Sequence, residues 1–320
     1  MTPSVKKFGV LLIKAVIASL SVWFIFWKIN SRDDFDLLVD TVSTSMQNPE
    51  KSKVFVIICV LMILNWFIET AKWKLLLKYI SPAGWLVCFR SVMSGVTVSI
   101  LTPNRIGEFA GRVLHLDKGI RVKAAIASII GSMNQLLITV LAGGIGLIFS
   151  MGLFVTDAKM VRIFIILVLI GMGVVSYIYF RIPALTKLIQ KISALRKITL
   201  YTAIFEKYTI WTLIKLSLLS AFRYLVFSLQ FILMLHWFDI NIPWQDAMNA
   251  ISIMYLALAI VPSIALSELT IRGSVALYFF SAYSGNSSGI LAATSMIWLI
   301  NLVVPAVIGA LAAFYFRLTR

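Results

Sequence analysis

Charged residues are scarce: 13% of the 320 positions are Asp, Glu, Lys or Arg, against 60% hydrophobic. A soluble chain of this length does not carry so much apolar surface, so an ordinary soluble globular domain is excluded. Cysteine is nearly absent. Cys59 and Cys88 both lie inside apolar runs, and neither a disulfide framework nor a thiolate metal site is expected. Of the two histidines, His115 and His236, each falls near the end of an apolar run, where an interfacial place without a metal role is expected. No His, Cys or carboxylate cluster has metal-ligand spacing, no Ser/His/Asp set stands out, and no glycine loop of the nucleotide-cradling type occurs. ATP-driven pumping, a cofactor and a catalytic site are therefore not expected. Acidic residues are the rarer sign, 13 against 29 basic ones, for a net charge of +16. In a soluble protein that balance would suggest nucleic acid. Here the basic residues sit in connectors beside apolar runs, which points to membrane topology and anionic lipid headgroups. No nucleic-acid partner is expected.

What fills the chain instead is apolar runs near or above the ~18 residues that mark a membrane-spanning helix. They cover about 8–27, 54–71, 124–151, 161–180, 211–237 and 290–316. The fold class is all-α, a polytopic membrane protein in one transmembrane domain. The first run follows Lys6 and Lys7 as a secretory signal would, but it is longer than a usual signal core and lacks a clear cleavage site. An uncleaved first span is expected. Gly143, Gly144 and Gly146 in the third run allow close helix approach. Asn65, Glu69, Asn134 and Gln135 lie within spans and read as interhelical hydrogen-bonding groups. Trp27, Trp73, Trp85, Tyr208, Trp211, Trp237 and Trp244 read as interface anchors. Residues 181–209 carry Arg181, Lys187, Lys191, Arg196, Lys197 and Lys207. Within them Leu185, Leu188, Ile189, Ile192 and Leu195 recur at the spacing of an amphipathic helix on a membrane surface. The N-terminus, 72–84, 117–123, 181–209 and the C-terminus are basic. The 30–52 connector (Asp33, Asp34, Asp36, Asp40, Glu50) and 238–247 (Asp239, Asp246) are acidic. The positive-inside rule then puts both termini on the cytoplasmic side of a cell (inner) membrane.

One stretch occurs twice. Trp85 is followed eighteen residues later by Pro103, and Trp244 eighteen residues later by Pro262. Glu108 and Arg112 then recur as Glu268 and Arg272, 160 residues on. A shared spacing in two otherwise dissimilar halves marks an internal repeat. Each half, 1–157 and 158–320, reads as two spans, one unit and one span. An odd number of spans per half turns the second half upside down. Proline cannot continue a helix, and the residue before it is pushed toward extended geometry. Each unit is therefore expected to be a re-entrant helical hairpin, giving about six full spans plus two hairpins. The turns fall at Pro103, Asn104 and Gly107, and at Pro262, Ser263 and Ser267, with Thr102, Asn104, Ser263 and Ser267 as candidate caps. Irregular backbone at membrane depth must be covered by protein or water, so both turns are expected to face a shared internal cavity.

Glu108 with Arg112 and Glu268 with Arg272 have the favourable i,i+4 order. By themselves these pairs serve equally well as structural locks. Arg105, Arg223 and Arg90 show no neighbouring partner in the sequence, and an unpaired Arg within a span usually faces a cavity or ligand. Guanidinium forks and helix N-termini together suit a phosphate. The candidate substrate-binding set is thus Arg90, Arg105, Glu108, Arg112, Arg223, Glu268 and Arg272, with Glu108 and Glu268 expected either to set the Arg geometry or to meet a cationic headgroup.

At Thr102, Pro103, Arg105, Gly107 and Glu108 the chain resembles the flippase-like transmembrane domain of lysylphosphatidylglycerol synthases, which also occurs as stand-alone membrane proteins. The second copy, Pro262 to Glu268, resembles a later and looser element of that family. The likeness covers essentially the whole chain, and it implies lipid translocation. As a stand-alone member without the soluble aminoacyl-transfer domain, the chain is expected to move another phospholipid, a glycolipid or a polyprenyl phosphate. Two alternatives share the architecture: an ion-coupled transporter of a small anion, and a non-transporting partner of a lipid-modifying enzyme.

Overall fold

The computed structural model describes residues 42–318 apart from 101, 103–104, 155–156, 185, 187–202 and 262–264. The expected first span, Asp33 to Asp40, the surface helix around Leu188, and Pro103, Asn104, Pro262 and Ser263 lie outside the described residues. The described residues form helices and no strand: α1 (Pro49–Leu77), α2 (Trp85–Ser99), α3 (Gly107–Arg112), α4 (Arg121–Phe154), α5 (Ala158–Phe180), α6 (Ile210–Trp237), α7 (Trp244–Ile260), α8 (Ala265–Phe280), α9 (Ser287–Trp298) and α10 (Val304–Leu318). A π turn, Leu299–Val303, joins the last two.

Among the described residues, five segments are long and apolar enough to cross a membrane: Pro49–Leu77, Lys118–Met151, Ala158–Phe180, Ile210–Trp237 and Ser287–Leu311. They are the second to sixth expected spans. Their starts follow local chemistry. Asn48 accepts the Glu50 N–H ahead of Pro49, Asp157 accepts Lys159 N–H, and Asn286 accepts Gly289 N–H, each satisfying an orphan donor of a first turn. α1 runs further than expected. Residues 72–77 are helical, and Lys72 is buried rather than lying in a basic loop.

The helices of the repeated units are shorter. α2 has 15 residues, about 22 Å at 1.5 Å per residue, short of a ~30 Å hydrocarbon core. α7 and α8 have 17 and 16. The second arm of the first unit is only the six-residue α3, so the two units differ in length there. Glycine sets the α2–α3 contact. A Cβ on Gly111 would lie 2.4 Å from Ser94 O and 2.7 Å from Gly95 Cα.

Contacts between the halves are reciprocal. α2 packs along α10, α7 packs along α4, and α1 packs along α6. The first helix of each unit thus leans on the long helix that closes the other half. Gly309 and Gly146 make this approach close. A Cβ on Gly309 would meet Met93 O at 2.2 Å, and one on Gly146 would meet Ser252 Oγ at 2.1 Å. Met93 and Ser252 hold the same register, each eight residues after its unit's Trp. Thr97 adds a cross-helix bond by donating to Ala306 O at 2.8 Å.

Many large apolar side chains are exposed, such as Ile163, Leu167, Ile170 and Val174 on α5. Lipid is the solvent on these faces, and the polar groups turn inward. Of the expected anchors, Trp85, Trp211 and Trp244 are exposed, but Trp73, Trp237 and Tyr208 are fully buried. Each of these three has found a specific partner. Trp73 stacks under Arg112, Trp237 donates to Lys51 O, and Tyr208 donates to Leu76 O.

Candidate functional site

Glu69 sits at the centre of one charge cluster. Its Oε1 accepts from Arg112 Nη2 at 2.6 Å, and its Oε2 accepts from Lys72 Nζ at 3.2 Å. Arg223 Nε lies 3.5 Å from the same Oε2. Arg112 also pairs with Glu108, closing the i,i+4 contact expected from the sequence. Lys72 Nζ and Arg223 Nη1 both donate to Gln135 Oε1 at 3.3 Å. Four helices, α1, α3, α4 and α6, are thereby joined through one carboxylate and one amide. Two indoles of α1 brace the cations: Arg223 lies over Trp66 at 5.6 Å and Arg112 over Trp73 at 5.4 Å. Charges this buried persist only when paired and hydrogen-bonded.

Glu268 centres the second cluster. It accepts from Arg272 Nε at 3.0 Å, the expected i,i+4 pair, and from Arg105 Nη2 at 2.6 Å. Arg105 lies in the turn before α3 and has φ 57°, a left-handed backbone that is uncommon for a non-glycine residue. Beside it, Thr102 Oγ1 accepts the Gly107 N–H at 2.7 Å, but the N-cap of α3 is Ile106, with no side-chain cap, and not the expected Thr102. Only glycine fits at 107, where a Cβ would lie 2.6 Å from Val98 O.

A cavity of about 70 Å³ lies between the clusters. Arg105, Arg223 and Arg272 line it, with Asn65, Tyr255 and Asn301 among the other lining groups. The three guanidiniums come from the first unit, from α6 and from the second unit. Trp66, Trp298 and Tyr255 also line it, and their buried Nε1 and OH atoms have no hydrogen-bond partner among the described residues. The cavity is therefore rich in donors and suited to an anion.

Two expectations are corrected. Arg105 and Arg223 are not unpartnered: the fold brings Glu268 and Glu69 to them from 163 and 154 residues away in sequence. Arg90 is not brought to either cluster and makes no ion pair among the described residues. Ser267 stands in the first turn of α8. Glu69, Lys72, Gln135 and Trp66 are site groups beyond the expected set. The signal for the three on α1 was the helical register Asn65, Trp66, Glu69, Lys72 and Trp73, one polar face on an otherwise apolar run. Asn65 and Asn134 do make the expected interhelical bonds, to Asn301 and Ser217. Among the described residues no group of His, Cys, Asp and Glu could hold a metal ion.

These features define a multi-pass helical membrane protein with cations gathered inside it. Residues 11–309 match the family described as the lysylphosphatidylglycerol synthase TM region, and the chain belongs to that family. No curated protein and no solved structure matches it.

Proposed function

We propose that this protein is a lipid translocator of the flippase type and not an enzyme, moving a phosphate-bearing lipid between leaflets. The observation that carries the reading is the convergence of Arg105, Arg223 and Arg272, from both halves, on one donor-rich cavity. Membership of the family described as the lysylphosphatidylglycerol synthase TM region supports a lipid substrate. On this reading the two units are re-entrant hairpins related by an inverted repeat. The reciprocal packing of α2 on α10 and of α7 on α4, with Gly309 and Gly146 at equivalent contacts, supports that relation. Inverted halves supply two exchangeable states, open to one leaflet or the other. The headgroup would enter the cavity while the acyl chains stay in the bilayer. Glu108 and Glu268 would set the geometry of Arg112 and Arg272. The protein would lie in the cell membrane with both termini cytoplasmic.

The small free volume, space for a couple of water molecules, favours one second reading, transport of a small anion. Proteoliposomes carrying fluorescent phospholipids separate the two. Leaflet exchange above that of empty vesicles, lost in an Arg223→Ala, Glu108→Gln double variant, supports translocation. Exchange equal to empty vesicles, with anion uptake intact, supports the second reading.

A further inference from the structure

The charge balance of the cavity narrows the substrate. Glu69, Glu108 and Glu268 are the carboxylates of the two charge clusters among the described residues. All three are already paired: Glu69 with Lys72, Arg112 and Arg223, Glu108 with Arg112, and Glu268 with Arg105 and Arg272. Five cations thus face three carboxylates, leaving a surplus of two positive charges. Among the described residues, an ammonium in this place would meet several guanidiniums and only carboxylates already paired.

Resting on the translocator reading, we propose that the cavity takes a lipid phosphomonoester, the headgroup of a polyprenyl phosphate or of a diacylglycerol phosphate, and discriminates against headgroups carrying an ammonium. A phosphomonoester near neutral pH carries about −1.5 to −2 charge and three strong acceptor oxygens. Those match the surplus charge and the three guanidiniums lining the cavity. A phosphodiester has one terminal oxygen and nearly one charge fewer. A lysylated phosphatidylglycerol, with two ammoniums against one phosphodiester charge, is net positive and would add repulsion.

The test is competitive binding to the purified full chain, read by native mass spectrometry. Equimolar polyprenyl phosphate, phosphatidic acid, phosphatidylglycerol, phosphatidylethanolamine and lysylphosphatidylglycerol are offered in mixed micelles, with inorganic phosphate in a separate arm. The two phosphomonoester lipids are expected to exceed each of the others by about tenfold, roughly one charge-assisted contact. Arg223→Gln and Arg272→Gln are expected to erase that preference while unfolding cooperatively. Lysylphosphatidylglycerol or phosphatidylethanolamine bound as well as the phosphomonoesters would overturn the proposal. So would inorganic phosphate binding as tightly as the lipids, which would make the free ion the ligand. A preference unchanged in well-folded variants would remove the site. If both variants fail to fold, the ranking on the unmodified protein decides alone. Leaflet exchange is a separate readout: preferential binding without exchange sinks translocation and leaves this proposal, whereas exchange of lysylphosphatidylglycerol without the preference does the reverse.

Discussion

Arg105 Nη2 donates to Glu268 Oε1 at 2.6 Å, tying the turn of the first unit to α8 of the second. The two ends of this contact are not equivalent. The Arg105 side chain is 40% exposed, whereas Glu268 is 6% exposed and also holds Arg272. Arg105→Gln leaves Glu268 paired with Arg272 and should cost under about 1 kcal/mol. Glu268→Gln leaves two guanidiniums facing each other without their carboxylate and should cost about 3 kcal/mol. Thermal unfolding in detergent checks this, and equal shifts for the two variants would show that Glu268 is not the hub.

Glu69 should be the least replaceable side chain of the site. Glu69→Gln removes the one carboxylate shared by Lys72, Arg112 and Arg223, and three buried or half-buried cations then repel. A loss of about 3 to 5 kcal/mol is expected. Adding Lys72→Met removes one uncompensated charge, so the double variant should melt above Glu69→Gln alone. A single variant melting with the unmodified protein would refute the arrangement.

Much of this was legible in the chain and some was not, for identifiable reasons. Spans two to six follow from length and hydropathy, because a bilayer fixes how long an apolar helix must be. The Glu108–Arg112 and Glu268–Arg272 pairs follow from helical periodicity. Arg105 and Arg223 looked unpartnered because their carboxylates lie 163 and 154 residues away, a separation that local spacing cannot bridge. Lys72 looked like part of a basic loop because Lys74 and Lys78 follow it. Helix α1 continues through it, and helical register alone decides that Lys72 points inward while Lys74 lies over the Trp85 ring at 4.8 Å. Trp73 and Trp237 match the anchor pattern in composition but are buried, because each meets a specific partner.

The two interhalf glycines should respond unequally to one added methyl group. On Gly309 the new Cβ would meet backbone, Met93 O at 2.2 Å and Met93 C at 2.5 Å. On Gly146 the closest atom is Ser252 Oγ at 2.1 Å, a side-chain end that can rotate away, and the others are at 3.2 Å or beyond. Gly309→Ala should therefore cost about 1 to 3 kcal/mol and Gly146→Ala distinctly less. Melting temperatures of the two variants test this, and the reverse order would contradict the close backbone approach of α2 and α10.

Asn301 offers the sharpest link between the irregular helix and the site. Pro305 has no N–H to give to the Asn301 carbonyl four residues back, so the regular ladder fails there and the chain widens into the π turn. The Asn301 side chain then holds that turn in place. Its Nδ2 donates to Gln230 Oε1 at 2.9 Å, and its Oδ1 accepts from Asn65 Nδ2 at 3.3 Å. Gln230 in turn donates to Ile58 O at 2.9 Å. Asn301→Leu would leave Gln230 Oε1 and Asn65 Nδ2 buried without partners, at a cost of about 2 kcal/mol. Replacing Asn65 and Gln230 by Leu as well removes both orphaned groups, so the triple variant should recover most of the melting temperature. Leaflet exchange should not recover with it, because Asn65 and Asn301 line the cavity and the triple variant takes their polar groups from its wall. A triple variant that regains both stability and exchange would make this amide ladder purely structural.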